Sequence, residues 1–353
     1  MQKINLLGYN RPQLEKLMLS LGQKAYKGGQ IYSWLYKVRQ YDFHQMTDLT
    51  KEIRNRLDED YVFNLLEIEN ESVSQDGTRK FLFRLSDGNP VETVLIPASM
   101  NTGQGGDRAT ACISVQSGCA LGCRFCATGT MGLLRDLTPG EMVGQLLGLR
   151  ERFGNDAFTN VVMMGMGEPL LNFDNVLKAL HIITNKDGLC VSARKVTVST
   201  SGITPGIRKL ADLELKSSLA VSLHTAIQEK REQIMPVARS FDLNDLIDAM
   251  RYYTRKTKSH ITIEYILFKD FNDGMDDVKA LTHFLQGLPC KLNIIAYNPV
   301  EGLDFTRPTD EEVDAFARKL YQRLPAVMVR KSRGSDVNAA CGQLAVQQQK
   351  RRK

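Results

Sequence analysis

The chain has 353 residues, 42% hydrophobic and 24% charged, with 46 Lys and Arg against 40 Asp and Glu for a net charge of +6. That balance belongs to a globular enzyme with a large core and excludes disordered, collagenous and disulfide-scaffold classes. No apolar run reaches the ~20 residues of a membrane span, residues 1–5 lack the basic-then-apolar start of a signal peptide, and seven cysteines, an odd count, exclude a complete disulfide framework, so a cytoplasmic protein without a membrane partner is expected.

Residues 1–65 read as a helical accessory domain. Leu14, Leu17, Met18 and Leu21 follow the i, i+3, i+4, i+7 stripe of an amphipathic helix. Ile31, Trp34, Leu35 and Val38 repeat it after a break at Gly28-Gly29, and Leu49, Ile53 and Leu57 mark a third helix. Outer faces rich in Lys, Arg and Gln suit RNA docking, or a plain cap on the core. A β-hairpin linker is expected over 66–104: strands 78–85 and 91–96 flank the turn Ser86-Asp87-Gly88-Asn89. Residues 101–108 are Gly-rich and polar, as a connecting segment is.

From 105 to 336 strands and helices alternate. Strands are expected at 111–115, 160–164, 195–199, 218–222, 261–267 and 291–297, with a seventh at 326–330. Thr138-Pro139-Gly140-Glu141 supplies a helix N-cap, a first-turn proline and a capping-box glutamate. Six strand-then-helix units predict an α/β fold whose parallel sheet curves into a partial (β/α)6 barrel. Residues 337–353 form a C-terminal segment ending in Lys350-Arg351-Arg352-Lys353. That tail and the positive net charge lean toward an anionic partner such as nucleic acid.

The chemistry concentrates in Cys119, Cys123 and Cys126, spaced C-x3-C-x2-C with no nearby fourth Cys or His. Structural zinc wants four ligands, usually as two pairs. Three thiolates suit a [4Fe–4S] cluster with one iron free of protein ligands and open to a small molecule. In α/β barrels the site lies at the C-terminal ends of the strands. Reading just past each predicted strand gives the cysteine loop, then Gly165-Met166-Gly167-Glu168-Pro169, Ser199-Thr200-Ser201-Gly202, Ser222-Leu223-His224 and Tyr297-Asn298-Pro299. Singly these are ordinary turns; on one rim with the cysteine loop they favour a cofactor site. Cys112 falls in the first barrel strand. Cys341 sits among small residues that no apolar periodicity explains, so its thiol is a candidate nucleophile. Cys190 and Cys290 read as small hydrophobes.

The cysteine spacing, with Phe125 before the third cysteine, resembles the radical S-adenosylmethionine (SAM) enzymes. With Val91-Glu92-Thr93-Val94, Ala127-Thr128-Gly129, Gly165 to Pro169, Ser222-Leu223-His224 and Ala340-Cys341-Gly342-Gln343-Leu344, nearly the whole chain resembles the RlmN/Cfr family of radical SAM RNA methyltransferases. Pro169 and the run from Arg330 to Asp336 are similar to the RlmN branch. The resemblance implies a cluster on Cys119, Cys123 and Cys126, and SAM contacts from Gly167, Glu168, Ser199, Ser222, Leu223, His224 and Asn298. It implies methylation of adenosine C2 in 23S rRNA and in tRNA, with electrons from an external flavodoxin-like donor. By the same resemblance Cys341 carries the methyl group into a transient protein–RNA adduct. Glu92, alone or sharing the role with Cys112, accepts the C2 proton, and Cys112 resolves the adduct through a transient disulfide with Cys341. The competing expectations are a Cfr-type C8 methyltransferase and a non-enzymatic RNA-binding module with a structural metal.

Overall fold

The structure, a computed structural model, describes residues 3–97 and 109–345. The expected connecting segment 101–108 and the basic tail 350–353 lie outside the described residues.

The N-terminal unit comprises β1 (Ile4–Asn5), α1 (Arg11–Ser20), α2 (Tyr26–Ser33), α3 (Lys51–Asp60) and β2 (Tyr61–Val62), with β1 and β2 paired in parallel. Asn10 caps α1 in a capping box with Gln13. Gly28-Gly29 do not break the second helix as expected; they lie inside α2. A Cβ on Gly28 would come within 2.3 Å of the Glu15 backbone nitrogen. The glycine therefore lets two helices touch backbone to backbone, and that gain outweighs the ~1 kcal/mol of helix propensity it gives up. A π-helical turn, Trp34–Val38, extends α2 and stops at Arg39 in the left-handed region (φ 62°).

Three antiparallel strands follow: β3 (Glu67–Val73), β4 (Arg79–Arg84) and β5 (Pro90–Ile96). The last two are the expected hairpin. They do not stand apart as a linker, because β5 pairs antiparallel with the first barrel strand, β6 (Thr110–Cys112). After β6 come β7 (Gln116–Gly118), α4 (Ala127–Thr130), β8 (Leu133–Asp136) and α5 (Pro139–Phe153). The alternating core continues with β9 (Asn160–Met163), α6 (Phe173–Thr184), β10 (Val196–Thr200), α7 (Thr204–Asp212) and β11 (Ser218–Ser222). It ends with α8 (Gln228–Ile234), α9 (Leu243–Thr257), β12 (Ile261–Leu267), α10 (Met275–Leu285), β13 (Cys290–Ala296), α11 (Asp310–Tyr321) and β14 (Val327–Arg330).

Strands β6 and β9 to β14 run parallel in one sheet, which β5, β4 and β3 extend to ten strands. The expected seventh strand is β14, at the edge. Val161, Val198, Leu219, Val221, Ile263 and Ile294 are buried along the strands, against Leu146, Ile183, Ile207, Leu246, Leu281 and Phe316 of the helices. A sheet sheltered this way reads as near-continuous Val, Ile and Leu, and each such side chain contributes ~1.5–3 kcal/mol on burial. The capping box of Thr138 and Glu141 is present as expected. Two aspartates clasp the C-terminal segment to the β3–β4 turn. Ser74 Oγ (2.6 Å) and the Gln75 amide (3.1 Å) donate to Asp336, and the Gly334 amide donates to Asp76 (2.9 Å).

Candidate active site

The cysteine loop springs from a two-stranded ribbon, β7 against β8, just beyond β6. Gln145 of α5 fixes the approach to that ribbon. Its Oε1 accepts from the Ser114 amide (2.8 Å) and the Thr93 hydroxyl (2.7 Å), and its Nε2 donates to the Ser114 carbonyl (2.9 Å). Within the loop, the Cys119 amide donates to the Gly132 carbonyl, the Arg124 amide to the Ile234 carbonyl, and the Cys126 amide to the Cys123 carbonyl. Cys123 is buried, and Cys119 and Cys126 are half-buried. Burial raises all three thiols, Cys119 to about 11. Phe125 stacks edge-on against His224, ring centroids 4.9 Å apart.

All three cysteines line one cavity at the C-terminal ends of the strands, together with Gly167, Glu168, Ser199, Ser222, His224 and Cys341. Gly167 holds φ +100°, and a Cβ there would come within 2.4 Å of Gln116 Cβ, so this turn requires glycine. Gln116 Oε1 then accepts from the Glu168 amide (2.8 Å). Glu168 is buried, and its two oxygens accept from the amides of Leu170 (3.0 Å) and Ser201 (2.7 Å). It thereby ties the turn after β9 to the turn after β10. His224 sits in the left-handed region (φ 59°). Its Nδ1 accepts from the Ile266 amide (3.0 Å) and its carbonyl accepts from Asn272 Nδ2 (2.6 Å). The ring proton is thus assigned to Nε2. Burial, then Arg231, lower its pKa to about 3, so the ring is neutral.

Two expected cofactor contacts do not line this cavity. Leu223 is buried, and its carbonyl accepts from Arg231 Nε (3.3 Å). Asn298 Nδ2 donates to the Cys341 carbonyl (3.3 Å), while its Oδ1 accepts from Arg307 (3.1 Å). Asn298 in this structure therefore holds the segment that bears Cys341.

That segment is fastened on both sides. The Ala127 amide donates to the Gly342 carbonyl (2.7 Å), the Thr128 hydroxyl to the Leu344 carbonyl (2.5 Å), and Gln343 Nε2 to the Pro299 carbonyl (2.9 Å). Cys341 is accessible, but toward cavities: it lines the cavity of the three cysteines and also an adjoining one walled by Cys112, Arg330, Lys331 and Arg333. Burial pushes Cys112 up to about 12, with Cys341 adding to the rise. Glu92 lines neither cavity. It pairs with Lys80 (Nζ to Oε1, 3.0 Å) beside the Ala345 amide, and burial raises its pKa against the pull of Lys80.

Three further residues carry no sequence signal. Gln145 lies within an apolar helix stripe. Glu264, mid-strand in β12, lines the cysteine cavity and accepts from Asn293 Nδ2 (3.0 Å). Arg231 lies in a stretch, Gln228 to Ile234, that reads as a solvated helix, yet it is fully buried.

The site suits the implied cofactors. Among the described residues, no three His, Cys, Asp or Glu side chains converge as ligands of a single ion do. In a [4Fe–4S] cluster each thiolate takes a separate iron, so the donors stand apart around a shared space. The three thiols share such a space, and the buried Arg231 guanidinium behind it keeps Nη1 without a partner among the described residues.

Comparison with known proteins agrees. Residues 4–62 match the ribosomal RNA large subunit methyltransferase N-terminal domain, and residues 113–285 match the radical SAM superfamily. A probable dual-specificity RNA methyltransferase RlmN of Flavobacterium johnsoniae is 41% identical over 98% of this chain and 97% of its own. The dual-specificity RNA methyltransferase RlmN of Geobacter sulfurreducens is 43% identical over 97% of this chain and 92% of its own. The crystal structure of a radical SAM methyltransferase from Sphaerobacter thermophilus superposes with a TM-score of 0.88 at 38% identity, covering 96% of this chain and 98% of that one. With similarity of this extent along both the helical unit and the barrel, the chain belongs to the RlmN family of radical SAM RNA methyltransferases.

Proposed function

We propose that the chain methylates C2 of adenosine in 23S rRNA and in tRNA, in the cytoplasm, drawing electrons from an external flavodoxin-like protein. The observation that carries this reading is the position of Cys341, which lines both the cavity of Cys119, Cys123 and Cys126 and the adjoining cavity of Cys112. A thiol there faces the cofactor space on one side and a basic cleft on the other. Arg330, Lys331 and Arg333 on that second wall suit RNA phosphates.

C2 of adenine is an electron-poor amidine carbon, so it does not attack a sulfonium methyl group as a nucleophile. The carbon must arrive already held by the protein. Cys119, Cys123 and Cys126 would hold the cluster, which with bound SAM would supply one-electron cleavage of SAM and hence the means to take hydrogen from a methyl group. Gly167, Glu168, Ser199, Ser222 and His224 bind and orient from the cavity wall. Cys341 Sγ, as a thiolate, takes the methyl group from one SAM with S-adenosylhomocysteine as the leaving group, holds the carbon as a thioether and delivers it to C2 while still bonded to sulfur. Release then needs the C2 proton removed, assigned to Glu92, and a thiolate, assigned to Cys112, to attack Cys341 sulfur: the S–S bond forms as the S–CH2 bond breaks, and the electron pair stays on the carbon, which takes a proton to become the C2 methyl group. Cys112 is protonated at neutral pH and must first surrender its proton.

The test is mass spectrometry of 23S rRNA and tRNA from cells with and without the gene. 2-Methyladenosine present only with the gene is expected. A methyl group at C8, or no difference in either RNA, overturns the reading.

A further inference from the structure

Arg231 is a fully buried guanidinium with no carboxylate within ion-pair distance among the described residues. Its donors reach only backbone carbonyls: Ser201 (2.7 Å), Ser222 (3.4 Å) and Leu223 (3.3 Å), at the ends of β10 and β11. Nη1 has no partner. A buried charge with neither counterion nor complete hydrogen bonding costs several kcal/mol. A fold keeps such a group where a missing anion completes it. Ser201 and Ser222, whose carbonyls Arg231 reaches, line the cavity of the three cysteines, and the titratable groups coupled to its charge are Cys123 and His224. Next to Cys123, the Arg124 amide donates to the Ile234 carbonyl (2.9 Å), binding the end of α8 to the cysteine loop. His224, on the same wall, is neutral and supplies no competing charge. Glu168 faces Cys123 with the opposite sign, but its oxygens are engaged by the Leu170 and Ser201 amides and it forms no ion pair with Arg231.

Three thiolates on a [4Fe–4S] core make an anionic assembly that gains one more negative charge when reduced. A fixed cation in a water-poor setting stabilises the more negative form more strongly. We propose that Arg231 is the built-in counter-charge of the cluster on Cys119, Cys123 and Cys126, and that it makes the cluster easier to reduce. The inference rests on those three cysteines holding the cluster. Arg231 does not line the cavity and touches no reacting atom, so it acts through the electrostatics of the cysteine loop.

The experiment is an electron paramagnetic resonance redox titration of anaerobically reconstituted full-length protein, native, Arg231→Gln and Arg231→Lys, with iron per chain measured alongside. Gln keeps a donor for the carbonyls and removes the charge; Lys keeps the charge. At the potential that half-reduces the native cluster, Arg231→Gln is expected to show an at least tenfold lower reduced-to-oxidised ratio. For one electron that is a displacement of about 59 mV to more negative potential. Arg231→Lys is expected to stay near the native value. An unchanged midpoint in an iron-loaded Arg231→Gln protein overturns the proposal. So does an equal displacement in both variants, or loss of iron from both, since either marks packing and not charge. Failure of the native chain to take up iron is a distinct result that overturns the cluster reading and the counter-charge with it.

Discussion

Lys80→Met isolates the carboxylate proposed to take the C2 proton. Glu92 and Lys80 lie 3.0 Å apart with side chains 6% and 15% exposed, so solvent screens the pair little. Oε2 of Glu92 has no side-chain partner among the described residues and only the Ala345 amide nearby. Removing the ammonium leaves a buried, unpaired carboxylate, a change that costs about 3 kcal/mol and lowers the thermal midpoint by about 4 °C. The pH dependence follows from the sign of the shift. Burial already holds the Glu92 carboxyl above its ordinary value of 4.5, and Lys80 is the largest opposing influence. Without Lys80 the folded-state value rises further. A carboxyl whose folded pKa exceeds its unfolded one favours the fold at low pH, and that support is lost as pH rises from about 4.5 through the folded value. The deficit of Lys80→Met is therefore small in acid and grows toward neutral pH. Adding Glu92→Gln removes most of it. The assay is thermal unfolding of native, single and double variants across pH. An equal deficit at every pH, or no rescue by Glu92→Gln, refutes the reasoning.

Cys341→Ala should keep its iron and still cleave SAM, yet methylate neither RNA; native methylation by this variant excludes the carrier role. Cys112→Ala should accumulate a covalent protein–RNA species, seen as a shifted band on a denaturing gel after turnover, and an adduct-free preparation counts against the resolving thiol. Gln145→Leu strips partners from the Ser114 amide and carbonyl and from the Thr93 hydroxyl, all buried. At about 1–3 kcal/mol per orphaned group, roughly 3 kcal/mol or more of stability is lost; denaturant melts showing less than about 1 kcal/mol would disprove that account.

The parallel strands were legible because each is a short run of β-branched and aliphatic residues closed by Gly, Ser or Asn. All seven predicted strand starts, at 111, 160, 195, 218, 261, 291 and 326, fall within a residue of those observed. Strand β3 was not legible: Glu67-Ile68-Glu69-Asn70-Glu71-Ser72-Val73 is charged on an exposed edge and carries a register shift between Ile68 and Asn70, so no alternation survives. Gly28-Gly29 misled because a glycine pair signals a break or a close helix contact, and only the position of Leu14 and Glu15 decides. The cysteine loop and the rim turns were legible from local spacing. Arg231, Gln145 and Glu264 were not, since what makes them matter is the absence or presence of partners brought in from distant segments. The register of Glu264 beside Asn293 and Ser222 is likewise a property of the folded sheet alone.

The latch between Thr128 and Leu344 joins positions 216 residues apart. During synthesis the three cysteines are made long before the segment that secures Ala127 and Thr128. A chain halted before Gly342 would contain the three cysteines proposed to hold the cluster yet lack both the bracing of Cys341, the proposed carrier, and the bonds that hold the turn after Cys126. With the cluster on these cysteines as proposed, its insertion would be linked to completion of the polypeptide, since nascent chains would offer it a looser loop than finished ones.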